Sequence, residues 1–276
     1  MQAVDRTLLS TIRVLSFIKH MAIIDRRKLY QVWEQSHLAR LLAYLEVDCV
    51  FDIGANQGQY AGMLRRNAGY EGFIFSFEPN PHDARIARAQ SEGDNKWMVI
   101  ETAIAEADGT AELNIMHSSE FSSLSTPKHD DSELFREMNA IVGTVTVKTQ
   151  RLETALRELQ AEHGFKRPFL KMDTQGFDVK IVKASGDIMR NFVGLQSELA
   201  IAKLYADSVD FRDALTEYER CGFLLSAFVP NNAGHFPRLL ETDCVMIRSD
   251  LAGVVSDKRR TKVDAWLTSV RQLVAR

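Results

Sequence analysis

An apolar run that stops at an aspartate and opens into glycines, "CVFDIGANQGQY" at residues 49–60, constrains this chain more than any other stretch. A short β-forming run, a glycine turn and then "YAGMLRRN" at helical spacing make the start of a βα unit. The same order returns at once. "GFIFSFE" precedes a helix over "PHDARIARAQ", and "WMVIETAI" reads as a third strand that ends near Thr102, Ala103 and Ile104. Past residue 150 come a helix "RLETALRELQAEHG", a strand "PFLKMD", a helix "DVKIVKAS" and a strand "GLQSELA". A helix "FRDALTEYERCG" and the strands "FLLSAFV" and "TDCVMIRSD" follow. Such alternation implies right-handed crossovers onto a mostly parallel sheet with helices on both faces.

Two regions break that rhythm. Residues 1–46 read as a helical extension, with Leu8, Ile12, Leu15 and Ile18 and then Leu38, Leu41, Leu42 and Leu45 at helical spacing. Trp33 on the same run reads as core. Residues 108–150 read as an insertion, two strands ("TAELNIM" and "GTVTVKT") around the Ser-rich "HSSEFSSLSTPKHDD". A loop of that kind is either a lid or a solvated segment. The remainder of 47–276 is one domain, closed by an amphipathic helix carrying Val263, Trp266, Leu267, Val270, Leu273 and Val274.

Composition narrows the class. Apolar residues make up 45% and charged residues 26%, ordinary for a soluble globular chain, and the net charge of −3 argues against a general nucleic-acid binder. Cys49, Cys221 and Cys244 have no metal-knuckle spacing and read as reduced thiols. With no apolar span of ~18 residues, the expected location is cytoplasmic. Residues 1–28 carry six Lys or Arg against Asp5 and Asp25, a pattern that suits either a packed helical cap or peripheral contact with an anionic membrane.

Ligands of such sheets bind outside the C-terminal strand ends, where the strand order switches. A dinucleotide turn needs G-x-G-x-x-G, yet Asn56 stands where the second glycine should approach a pyrophosphate. A P-loop needs Lys-Ser or Lys-Thr, and Gly58 is followed by Gln59-Tyr60. A glycine turn followed ~20 residues later by an acid at the next strand end, Glu78 before Pro79, suits a nucleoside with a free ribose. Asp52 and Asn56 would then face a zwitterionic amino-acid end. That ligand is S-adenosylmethionine.

"VFDIGANQGQYAGMLRRNAGYEGFIFSFEPNP", "FLKMDTQGFDVKIVKASG" and "LQSELAIAKLY", in that order, resemble the FkbM-type family of S-adenosylmethionine-dependent methyltransferases between about residues 38 and 248. The resemblance implies a class I methyltransferase (Rossmann-like) fold, a mostly parallel seven-stranded sheet with its last strand inserted antiparallel. It implies O-methylation of hydroxyls, often on sugars. Carried onto this chain, Gly54, Ala55, Asn56 and Gly58 form the methionine-side turn, Glu78 holds the ribose, and Thr102, Ala103 and Ile104 line the adenine. Many relatives have D-V-E-G-x-E after the fourth strand. This chain has Asp173-Thr174-Gln175-Gly176-Phe177-Asp178, with an amide where they carry an acid.

A hydroxyl acceptor needs a base, and the candidates are Asp173, Glu198 and His235 in "PNNAGHFPR". Asp173 is the first choice for contact with the reacting groups; its plainer role would be to cap the next helix. Asp173 and Glu198 could instead share a Mg²⁺, although no third oxygen ligand is evident. The expected acceptor is a small molecule or glycoconjugate. A polyketide-type alcohol is the alternative, and a non-catalytic cofactor-binding scaffold at a membrane surface is a third reading.

Overall fold

The computed structural model describes residues 29–128, 136–230 and 237–253, with side chains from residue 31. The basic N-terminal stretch, the terminal amphipathic stretch and His235 lie outside the described residues.

The elements run α1 (Leu29–Tyr44), β1 (Cys49–Ile53), α2 (Gln59–Arg66), β2 (Phe73–Phe77), α3 (Pro81–Ser91), β3 (Trp97–Ile100), β4 (Ala103–Ala105), β5 (Gly109–Met116) and β6 (Ile141–Arg151). They continue with α4 (Leu152–His163), β7 (Pro168–Met172), α5 (Asp178–Ser185), β8 (Gly194–Ala200), α6 (Phe211–Arg220), β9 (Phe223–Pro230) and β10 (Glu241–Arg248). Seven strands form one sheet in the order β3-β2-β1-β7-β8-β10-β9. Neighbours from β3 to β8 pair in parallel, and β10 is antiparallel to both β8 and β9. This is the class I methyltransferase arrangement that the sequence implies.

β1 and β7 are buried along their whole length, which is why they read as unbroken apolar runs. One face packs Val50, Ile74, Phe169 and Val245 against Leu38, Leu42 and Leu45 of α1 and its end. The other packs Phe51, Phe75, Leu170 and Leu195 against α4, α5 and α6, with the Phe51 ring touching Phe75, Phe77, Phe165 and Phe192. Trp33 is not core: half its surface is exposed, and its ring stacks on His37.

The third strand differs from the sequence reading. It ends at Ile100, and the chain bends at Glu101–Thr102 so that β4 leaves the main sheet. β4 pairs with β6, which pairs with β5, giving a second three-stranded sheet. Ala103 packs there on Leu113 and Val147, so the apolar character that suggested one strand serves two cores.

Strand order reverses between β1 and β7, so their C-terminal ends meet at the switch point. Register also aligns a polar row, Ser76–Asp52–Lys171–Gln196, across β2, β1, β7 and β8 on the α1 face. That row underlies the candidate site.

Candidate active site

The turn after β1 alternates its backbone, with φ of +74° at Gly54, +47° at Asn56 and +89° at Gly58. Asparagine tolerates the left-handed region better than other side chains, so Asn56 does a glycine's conformational work. The two glycines make close approaches, but to protein. A Cβ on Gly54 would lie 1.9 Å from the Asp173 carbonyl, and one on Gly58 2.9 Å from the Trp97 ring. Gly58 is thus held close against the Trp97 ring and lines neither the pocket nor the cleft described below.

Glu78 holds the turn to the next strand. Its Oε2 accepts the Asn56 N–H at 2.7 Å and its Oε1 the Asn80 N–H at 2.8 Å. Burial pushes its carboxyl up to about 7, against those two donors. Each oxygen keeps a lone pair for another donor. Asn80 then caps α3, its side chain accepting from the His82 N–H with Pro81 in the first turn.

A pocket at this edge gathers Gly54, Asn56, Glu78, Pro79, Ala103, Ile104 and Asp173, seven of the sequence-predicted residues, on one concave surface. Ala55 instead lines the adjoining cleft. Thr102 turns its hydroxyl onto the Glu101 carbonyl and lines neither. Asp52 has no exposed surface and lies beneath the turn, because its register position directs it into the α1 face. Ser76 Oγ donates to its Oδ2 at 3.0 Å, and Lys171 Nζ stands 3.3 Å from Oδ1, an ion pair outside hydrogen-bonding alignment.

The Ser-rich segment closes the pocket's outer side. Ser119 Oγ lies 3.3 Å from both Asn56 Nδ2 and Asp83 Oδ1. Ser123 Oγ bonds the Thr174 and Gln175 carbonyls, and Ser125 Oγ bonds Asp207. These hydroxyls are committed to the fold, not left for a polyol.

Next to the pocket lies a cleft of about 770 Å³ with strongly acidic walls. It includes Glu34 from α1, Asp173, Glu198, Glu241 and Asp243, with Lys171 at its floor. Burial pushes Lys171 down, but the carboxylates of Asp52, Asp173 and Asp243 outweigh it and raise the ammonium above its ordinary range. Its Nζ donates to the Gly54 carbonyl at 3.2 Å and stands 3.7 Å from Asp173.

Two glutamines tie the acids in pairs. Gln175 Nε2 donates to Asp173 Oδ1 at 2.8 Å and Glu198 Oε2 at 3.2 Å. Gln196 Nε2 donates to Glu34 Oε1 at 2.9 Å and Asp243 Oδ2 at 2.7 Å. Burial raises Glu34, Glu198 and Asp243, the last to about 8.

Asp173 and Glu198 therefore meet, as the sequence suggested, but through an amide. Among the described residues no group of three His, Cys, Asp or Glu is arranged to hold a metal ion. Asp173 does not cap the next helix: the residue before α5 is Phe177, without a side-chain cap, and Asp178 instead accepts the Thr174 N–H of the preceding turn at 2.9 Å. Tyr205 is buried, and its hydroxyl donates to Gln175 Oε1 at 2.9 Å.

Sequence reasoning missed Lys171, Gln196, Glu34 and Asp243. For Lys171, Gln196 and Asp243 the signal was a polar residue inside an apolar strand, as in "FLKMD", "GLQSELA" and "TDCVMI"; Glu34, on α1, gave none.

The sequence matches the methyltransferase FkbM domain over residues 52–225. Comparison with curated proteins gives no match. Among solved structures, cofactor-bound Rv0187 from MTB is 14% identical at a TM-score of 0.46, over 89% of this chain and 91% of that one. A methyltransferase FkbM from Methylobacillus flagellatus KT is 13% identical at 0.43, over 87% and 60%. The O-methyltransferase from Bacillus cereus in complex with SAH is 11% identical at 0.41, over 90% and 93%. The family match spans more than half of the sequence, and the chain belongs to the FkbM family of S-adenosylmethionine-dependent methyltransferases.

Proposed function

We propose that this enzyme transfers a methyl group to a hydroxyl of a sugar, in a glycolipid, polysaccharide or glycosylated natural product. The observation that carries the reading is the position of Asp173. Its carboxylate belongs to both the pocket and the acidic cleft, and its side chain is 38% exposed. A carboxylate at that boundary is placed to take the proton of an acceptor hydroxyl, worth roughly 10²–10⁴-fold in rate.

The pocket's residues fit the methyl donor. Glu78 keeps lone pairs for two ribose hydroxyls, Pro79, Ala103 and Ile104 offer apolar walls for the adenine, and Gly54 and Asn56 bound the end that would receive the amino acid. When bound, S-adenosylmethionine supplies an electrophilic methyl on its sulfonium. The chain's own contribution is to fix both partners, worth up to about 7–11 kcal/mol in the best intramolecular cases, and to accept the proton at Asp173. Amides and carboxylates dominate the cleft walls, among them Gln31, Gln35, Asn67 and Gln196, which favours a polyol over an apolar polyketide ring.

Calorimetric titration of S-adenosylmethionine and S-adenosylhomocysteine tests the donor site. Glu78→Ala is expected to cost about 1–3 kcal/mol of affinity; wild type that binds neither ligand would refute the assignment. Transfer of labelled methyl to a panel of glycosides and macrolide alcohols tests the acceptor. Asp173→Asn should keep cofactor affinity and lose turnover, and undiminished turnover would remove Asp173 from the role.

A further inference from the structure

Gln175 sits between two carboxylates that would otherwise invite a divalent cation. One amide nitrogen gives a proton to each, to Asp173 Oδ1 at 2.8 Å and to Glu198 Oε2 at 3.2 Å. Its Oε1 points the other way, 2.9 Å from the Tyr205 hydroxyl. The reverse orientation would set Oε1 against two carboxylate oxygens, so the partners themselves fix which end faces the pair.

The backbone is committed as well. Gln175 has φ of +54°, a conformation that costs a residue with a side chain of order 1–3 kcal/mol. Ser123 Oγ holds its carbonyl at 3.0 Å. Strain of this kind persists where the surroundings over-determine it, often at a functional site.

We propose that Gln175, its amide nitrogen bonded to both acids, bars a divalent cation from the Asp173–Glu198 pair. A hard cation such as Mg²⁺ needs several oxygens at ~2.0–2.1 Å in near-octahedral order. The amide presents N–H groups, with their positive ends, at the place where a third oxygen would have to stand. A glutamate at 175 would reverse this, turning a donor into an acceptor and converging three carboxylates. Methyl transfer at this site therefore draws on Asp173 without a metal ion at these residues. The inference rests on reading the cleft as the acceptor side, yet its test needs no acceptor.

Mn²⁺ is the probe, its free concentration followed by electron paramagnetic resonance in the presence of S-adenosylhomocysteine. Wild type should take up no more Mn²⁺ than Asp173→Asn. Gln175→Glu should bind about one ion per chain, roughly tenfold or more tighter than wild type, and Gln175→Glu/Asp173→Asn should lose it. Gln175→Ala removes the amide without adding charge and should show a smaller gain, which keeps the test open if the glutamate variant does not fold. Two results would overturn the proposal: wild-type Mn²⁺ binding abolished by Asp173→Asn, or no gain in folded Glu and Ala variants. Affinity for S-adenosylhomocysteine is read in the same samples. Its absence would sink the donor-site reading while the Mn²⁺ result stood.

Discussion

At the scale of single residues, the site is held by backbone conformations and buried charges that specific substitutions can separate. Asn56 occupies a left-handed position, so Asn56→Gly and Asn56→Ala lose the same side-chain bonds but differ in backbone freedom. The alanine variant should be less stable by about 1 kcal/mol in urea denaturation; equal stabilities would show that the turn relaxes. Lys171→Met leaves Asp52 buried without its cation and should cost about 3–5 kcal/mol. The double variant Lys171→Met/Asp52→Asn should recover most of that, and failure to recover would move the role of Lys171 to its bond with the Gly54 carbonyl. The order of strand ends made it legible in the sequence that Gly54, Asn56, Glu78 and Asp173 would line one edge. The burial of Asp52 was not legible, because its face depends on pairing with Lys171, more than a hundred positions away. Gln175 was visible only as a departure from a pattern; its task needs Glu198 and Tyr205, which only the fold brings near.

Among elements, the legible ones were those with a period of their own. β1, β7 and β8, buried on both faces, and the capped helices α3 and α6 stand where the sequence put them. β3 and β4 were fused because "WMVIETAI" is apolar on both sides of Glu101–Thr102, and the partner that draws β4 away, β6, lies some forty residues on. The Ser-rich segment was ambiguous for a different reason. Its polarity reads as solvated, but its hydroxyls bond the Thr174 and Gln175 carbonyls and the Asp207 carboxylate. The Tyr205 hydroxyl, 2.9 Å from both the Phe121 carbonyl and Gln175, pins this segment to the turn after β7. Tyr205→Phe keeps the buried ring and removes that pin, at a cost of about 1–2 kcal/mol. Hydrogen exchange should quicken over residues 119–125 while β1 and β7 stay protected. Uniform quickening would mean that the hydroxyl supports the whole fold and not the segment.

For the molecule as a whole, the buried acids set how stability follows pH. Burial raises Glu78 to about 7 and Asp243 to about 8, and it raises Glu34, Asp178 and Glu198 as well. In the unfolded chain these groups titrate near ~4. The folded chain therefore binds more protons between about pH 4 and pH 8, and each group's contribution to stability, full at acid pH, is lost as pH rises through its folded value. His37 works the other way, lowered by burial and by Arg40, but it is one group against several. Asp207 and Asp250, lowered by Lys180 and Arg248, lose their stabilisation only as pH falls through their depressed values, below the ordinary carboxylate range of ~4. The ligand-free protein should thus melt at a higher temperature at pH 5.5 than at pH 8.5, by roughly 5 °C or more. Asp243→Asn should flatten the upper part of that slope, since its titration near pH 8 is then gone. A melting temperature that is level or rises across this range would mean that the cleft acids titrate like exposed carboxylates, and that the acidic cleft is wetter and less enclosed than its geometry implies.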